Sequence, residues 1–150
     1  MSVNEKKVSG FPAASLRLCF DEMSPCGRIS GRITGVCLKE EIPFHDLAQL
    51  SLGIDAALNE IGQPQASYIF RSFRKQVTED PVPYVGNPKR WHSAEEISRE
   101  QGSVRTVDAV FTSRQHGTWQ GVLKETDGRM IGRFVSDLKF LEMLEQENGQ

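Results

Sequence analysis

The chain has 150 residues, 38% of them apolar, which suits one domain with a single packed core. Lys plus Arg total 18 against 20 Asp plus Glu, a net charge of −2 that argues against coating nucleic acid by bulk electrostatics. No apolar run approaches the roughly 18 residues of a membrane span, and residues 1–10 lack the apolar stretch of a secretory signal. Cys19, Cys26 and Cys37 match neither a disulfide framework nor a zinc motif, so a cytoplasmic protein is expected.

Residues 1–14 read as a disordered leader. Residues 15–21 alternate Leu16, Leu18 and Phe20 with Arg17, Cys19 and Asp21, the period of a strand. After the turn cluster at 24–27, a second strand is expected from Arg28 to about Lys39. It would place Ile29, Gly31, Ile33, Gly35 and Cys37 on one face, where the glycines suggest a close neighbour or a bulge. The spacing of Leu47, Leu50, Ile54, Leu58 and Ile61 predicts a helix over 46–61 with one face on a sheet. Asp46 is its N-cap, with Gln49 three residues on, and Gly62 and Pro64 end it.

Residues 66–75 read as extended and amphipathic, and 76–92, with Pro81, Pro83, Gly86 and Pro88, as a long irregular loop. Ser93 and Glu96 form a capping box for a short helix ended by Gly102. Strands are expected at 104–114, at 118–125 and, after the Asp127-Gly128 hairpin, at 129–134. Trp119, Gly121 and Leu123 share a face of the middle strand, with Trp119 in the core. Ser136 then caps a last helix to about Gln146, whose stripe is Leu138, Leu141 and Leu144, widened by Phe140 and Met143.

The two ends of this order are alike. Gly31 to Val36 leads through Phe44 into a helix, and Gly117 to Val122 leads through Phe134 into another. Gly35 aligns with Gly121 at an offset of 86, and Phe44 with Phe134 at 90. The expected fold is therefore α+β: an antiparallel sheet of about five or six strands with two main helices on one face. It is a degenerate tandem of strand-strand-(strand)-helix units at 15–62 and 103–147, joined by 63–102.

The stretches Gly62-Gln63-Pro64-Gln65-Ala66 with Arg71-Ser72-Phe73, Thr118-Trp119-Gln120-Gly121, and Arg133-Phe134-Val135-Ser136 before an apolar helix carry a resemblance. The chain resembles a family of short hypothetical proteins common in clostridial Firmicutes, over roughly residues 28–75 and 104–145. It departs from that family in the Pro-rich 76–100 insertion. The resemblance implies no activity and no catalytic residues.

No catalytic constellation stands out, and no cofactor is expected. The cysteines and His45, His92 and His116 lack metal-ligand spacing. Glu40-Glu41 and Glu95-Glu96 are adjacent and point apart. Asp55 reads as solvent-facing or as a hydrogen-bonded structural residue. The informative stretch is basic and aromatic: Tyr68, Phe70, Arg71, Phe73, Arg74 and Lys75, then Tyr84, Lys89, Arg90 and Trp91. Residues 68–92 carry five Lys or Arg against Glu79 and Asp80. Arg, Tyr and Trp are usual anchors of protein interfaces, while aromatics among arginines also suit single-stranded RNA or DNA. Plain packing of Phe70, Phe73 and Trp91 on the sheet is the third reading. Arg28, Arg32, Thr118 and Gln120 could add contacts from an open sheet face. The function expected is a small non-catalytic module that binds a protein partner. A nucleic-acid binder is the alternative, and a small-ligand domain, with its site between the two units, is the second alternative.

Overall fold

The structure, a computed structural model, describes residues 11–24, 28–64, 66–67, 85–115 and 118–148. Strands β1 (Ser15–Met23), β2 (Ile29–Thr34) and β3 (Ile42–Phe44) lead into helix α1 (Leu47–Ile61). A two-residue strand β4 (Ala66–Ser67) and a short helix α2 (Ala94–Ser98) follow. Then come β5 (Arg105–Gln115), β6 (Gln120–Glu125), β7 (Met130–Phe134) and helix α3 (Asp137–Asn148). Six strands form an antiparallel sheet in the order β3-β2-β1-β5-β6-β7, and β4 adds in parallel to the end of β5. Among the described residues, no helix is long and apolar enough to cross a membrane.

The expected α+β architecture holds, with both long helices on one sheet face. Leu16, Leu18 and Phe20 of β1 stand beside Ala109 and Val107 of β5 and Ile33 of β2. Above this layer α1 buries Leu50, Ile54, Ala57, Leu58 and Ile61, and α3 buries Phe140, Met143 and Leu144. Each fully buried Leu, Ile or Phe contributes roughly 1.5–3 kcal/mol. Helix α1 ends as its sequence requires, with Gly62 in the left-handed region (φ 83°) donating its N–H to the Leu58 carbonyl. At the other end Asp46 accepts from the Gln49 N–H at 2.7 Å. The return bond from the Gln49 side chain goes to the His45 N–H rather than to the cap itself.

Several local expectations are corrected. The second strand stops at Thr34, because Gly35–Leu38 turn inward and are buried, and residues 42–44 pair with β2 as an edge strand instead of simply leading into the helix. Residues 11–14 do not behave as a leader: Ala14 is buried and its carbonyl accepts the Phe111 N–H. Leu138 is 68% exposed, so the apolar stripe of α3 begins at Phe140 instead. Residues 15–20 of strand β1 are buried on both faces, with Ser15, Arg17 and Cys19 covered nearly as fully as Leu16, Leu18 and Phe20, while Asp21 and Glu22 are exposed. Of the expected strand at 66–75, only Ala66–Ser67 falls within the described residues as a strand.

The residue correspondence between the two ends is closer than the sequence alignment suggests, and it runs through Gly31 rather than Gly35. Gly31 pairs with Phe20 and Phe44, and Gly121 with Phe111 and Phe134. The offset is 90 at both the glycine and the second phenylalanine (121 − 31 and 134 − 44). In each half the two rings meet edge to face at 5.6 Å, and the strand bulges just after the first of them. Each long helix then opens on a side-chain cap, Asp46 or Ser136.

Where the halves meet, β1 pairs with β5, and Arg17 lies opposite Asp108. Arg17 is 3% exposed and binds the Asp108 carboxylate through two bonds, of 2.8 and 2.9 Å. Its remaining nitrogen donates to the Ile97, Ser98 and Glu100 carbonyls. The pair thus carries α2 on the sheet face opposite the long helices.

Candidate functional site

Beyond Thr34, the chain turns through Gly35–Leu38, closed by the Leu38 N–H on the Gly35 carbonyl. The Val36 carbonyl accepts the N–H groups of Trp91 and His92 at 2.8 and 3.2 Å, and His92 Nε2 lies 3.0 Å from the Lys39 carbonyl. Segment 85–92 is thereby laid along the turn. Ser93 and Glu96 complete their reciprocal capping box and start α2. Between the turn and α2 lies a cleft of 360 Å³, lined by Thr34, Gly35, Leu38, Lys39, Glu41, His92 and α2 residues including Ile97 and Arg99.

At the rim of this region Trp91 is 41% exposed. The Lys89 ammonium lies 4.1 Å from its ring centroid and the Lys39 ammonium 4.9 Å, so two cations lie over the indole. Arg90 turns away and donates to the Phe11 carbonyl at 3.0 Å. Of the basic-aromatic stretch, Lys89, Arg90 and Trp91 are described. Tyr68, Phe70, Arg71, Arg74 and Lys75 lie outside the described residues. Lys39 joins the site through the β2–β3 turn, a proximity that sequence separation hides.

The other expected contact residues are placed differently. Arg28 is exposed at the start of β2, away from this cleft's lining. Arg32 reaches Asp21, Glu41 and Glu100 within 3.5 Å, so its charge is already matched within the chain. Gln120 accepts from the Ser113 hydroxyl and the Gln115 N–H and donates to Thr118 and to the Val135 carbonyl. Thr118 in turn donates to the Gln115 carbonyl. These two residues tie the β5–β6 turn together and do not present a free polar surface.

Trp119 is in the core, as its alternation predicts, in edge-to-face contact with Phe111 and Phe140. Its indole N–H donates to Asp55 at 2.8 Å and its backbone N–H to Asp137 at 2.9 Å. Burial raises the Asp137 carboxyl, and the charge of Asp55 raises it further, against the Trp119 N–H, which favours the ionised form. Two carboxylates far apart in sequence therefore meet at one tryptophan, an encounter that no local spacing signals. Their bonds tie α1 and α3 to Trp119, the residue before β6.

Neither described cysteine is an activated nucleophile. Burial pushes the Cys19 thiol up to about 11 in spite of Arg32 and Arg17 nearby, and burial also raises Cys37 against Arg90. Cys19 therefore holds its proton more tightly folded than unfolded. Its contribution to stability is present below pH 9.0 and lost as pH rises toward about 11. Urea midpoints are expected to fall across that window more steeply in the wild type than in Cys19→Ala. An equal slope in both proteins would refute this assignment. Among the described residues, no three His, Cys, Asp or Glu side chains group to hold a metal.

No protein-family model matches this chain, and neither a curated protein nor a solved structure matches it at a significant level.

Proposed function

We propose that the chain is a small non-catalytic binding module that engages a protein partner through the surface around Trp91. The observation that carries this reading is a large aromatic side chain left 41% exposed with two lysine ammonium groups over its ring. An exposed Trp is among the residue types enriched at interface anchors, and Lys39 and Lys89 would lie on the polar rim around it. The surrounding charge favours a protein over a nucleic acid. Glu95 and Glu96 occupy the first turn of α2, and Glu41 and Glu100 line the adjoining cleft, so the phosphates of a strand would meet acids beside Lys39 and Lys89. The matched Gly31–Phe44 and Gly121–Phe134 pairs support reading the scaffold as a degenerate repeat of two βββα units.

Partner recovery from a cytosolic lysate is expected to drop about tenfold or more in Trp91→Ala, the scale of an interface hot spot. Lys89→Glu should lower it as well. Recovery indifferent to both changes would reject the surface. The nucleic-acid reading is tested in parallel by titrating the chain with single-stranded RNA and DNA at low and at physiological salt. Affinity that falls steeply with salt and needs Trp91 would replace the protein-partner reading.

A further inference from the structure

Arg17, Arg32, Arg105, Arg129 and Lys139 each have a carboxylate within 4.0 Å. Around Trp91 the pattern is different. Lys39, Lys89 and Arg90 are exposed and have no ion-pair partner among the described residues. The first two nonetheless share one indole ring, at 4.9 and 4.1 Å from its centroid. Two ammonium groups held against one ring repel each other, and the chain neutralises neither. The acids nearby are already engaged. Glu96 accepts the Ser93 N–H and faces His92, Glu60 accepts the Lys39 N–H, and Glu41 and Glu100 pair with Arg32. Arg28, Lys124 and Arg133 also lack ion pairs among the described residues, but Trp91 is the only exposed aromatic side chain there. Only at Trp91 does unmatched positive charge meet an exposed ring.

We infer that the partner meets this surface through a short acidic segment, with carboxylates on Lys39 and Lys89 and an apolar side chain on the uncovered part of Trp91. This rests on the reading of Trp91 as the anchor of a protein interface and adds the chemistry of what it anchors. Carboxylates opposite the two lysines supply the counter-charge that the chain withholds, which is how complementary interfaces select a partner. The acids on either side keep the segment short. Glu95 and Glu96 in the first turn of α2, and Glu41 close to Lys39, would repel a longer run of negative charge. The same limit disfavours a nucleic acid, whose charge recurs at every nucleotide.

The test is selection from a phage-displayed library of random heptapeptides on the immobilised full chain at physiological salt, with Trp91→Ala as the counter-selection. Peptides that need Trp91 are expected to be enriched about threefold or more in Asp and Glu beside an apolar residue. One such peptide, synthesised, should bind with a Kd of about 10–500 μM. Replacing its acids by Asn or Gln should weaken it about tenfold, as should Lys39→Gln or Lys89→Gln in the chain. Raising salt from about 0.05 to 0.5 M should weaken it severalfold. Lys39→Glu combined with Lys89→Glu should select basic peptides instead. Both lysines are exposed, so urea midpoints of these variants should match the wild type. Peptides that need Trp91 but show no acidic enrichment would overturn the acidic segment and leave the partner surface standing. No peptide enriched over Trp91→Ala would overturn it as well, and recovery of a lysate partner then decides separately whether Trp91 anchors a protein. Displacement of the selected peptides by single-stranded RNA at physiological salt would overturn it in favour of a nucleic acid.

Discussion

Asp108→Ala is expected to destabilise the fold by about 3–5 kcal/mol, because it leaves the Arg17 guanidinium charged and buried without its counter-ion. The wild-type pair is well satisfied: two parallel bonds join Arg17 to the carboxylate, and its remaining nitrogen serves three carbonyls at the end of α2. Arg17→Lys should be only partly tolerated, since an ammonium keeps the charge but lacks the planar fork. Arg17→Met combined with Asp108→Leu should recover most of the lost stability, because no charge is then left buried alone. That double variant nonetheless removes the Arg17 bond from the Ile97, Ser98 and Glu100 carbonyls, of which Ile97 still accepts the Glu100 N–H. Amide exchange in 94–101 should therefore accelerate while the sheet remains protected. Urea denaturation gives the first measurement and hydrogen exchange the second. A loss below about 1 kcal/mol in Asp108→Ala would mean that Arg17 reaches water and that the pair does not hold α2 in place.

Gly31→Ala and Gly121→Ala should each lose at least about 3 kcal/mol, and by similar amounts. A Cβ on Gly31 would fall on the Cys19 carbonyl oxygen and against the Phe44 ring. One on Gly121 would fall on the Val110 carbonyl oxygen and against Phe134. The obstacle in both cases is backbone of the adjacent strand, at the point where that strand bulges, so no rotamer change clears it. Gly128→Ala is the control. It also changes a glycine, at φ 95° in the hairpin turn, but nothing lies within 4 Å of the added carbon. Its cost should stay near 1 kcal/mol, the strain of an alanine in the left-handed region. Either core variant behaving like Gly128→Ala in urea titrations would refute the close approach. A large difference between the two core variants would weaken the reading of the halves as one repeated unit.

The elements whose cause is local were legible. The stripe and caps of α1, the Ser93 capping box and the Asp127-Gly128 hairpin each depend on residues within a few positions of one another. Where a local pattern allowed two answers, the packing chose. Leu138 fits the period of α3 as well as Phe140 does, but the sheet lies under Phe140, so Leu138 faces water. The alternation of β1 marks a strand and leaves open what covers its Arg17 face; α2 and Phe11 do so, because Arg17 holds the end of α2 and lies over the Phe11 ring.

The same division applies to the candidate site. Trp91, Lys89 and Arg90 stood out as an aromatic among cations, a signal carried by neighbouring residues. Lys39 could join them only through the bonds from Trp91 and His92 to the Val36 carbonyl. The sequence by itself determined the class of fold, the long helices and most strand positions, since hydrophobic period and capping act over one or two turns of chain. Tertiary structure alone decided that Arg17 meets Asp108, that Asp55 and Asp137 meet at Trp119, and that a charged cleft forms beside α2. Each of those depends on the order of strands in the sheet, which brings together residues tens of positions apart and which no local period encodes.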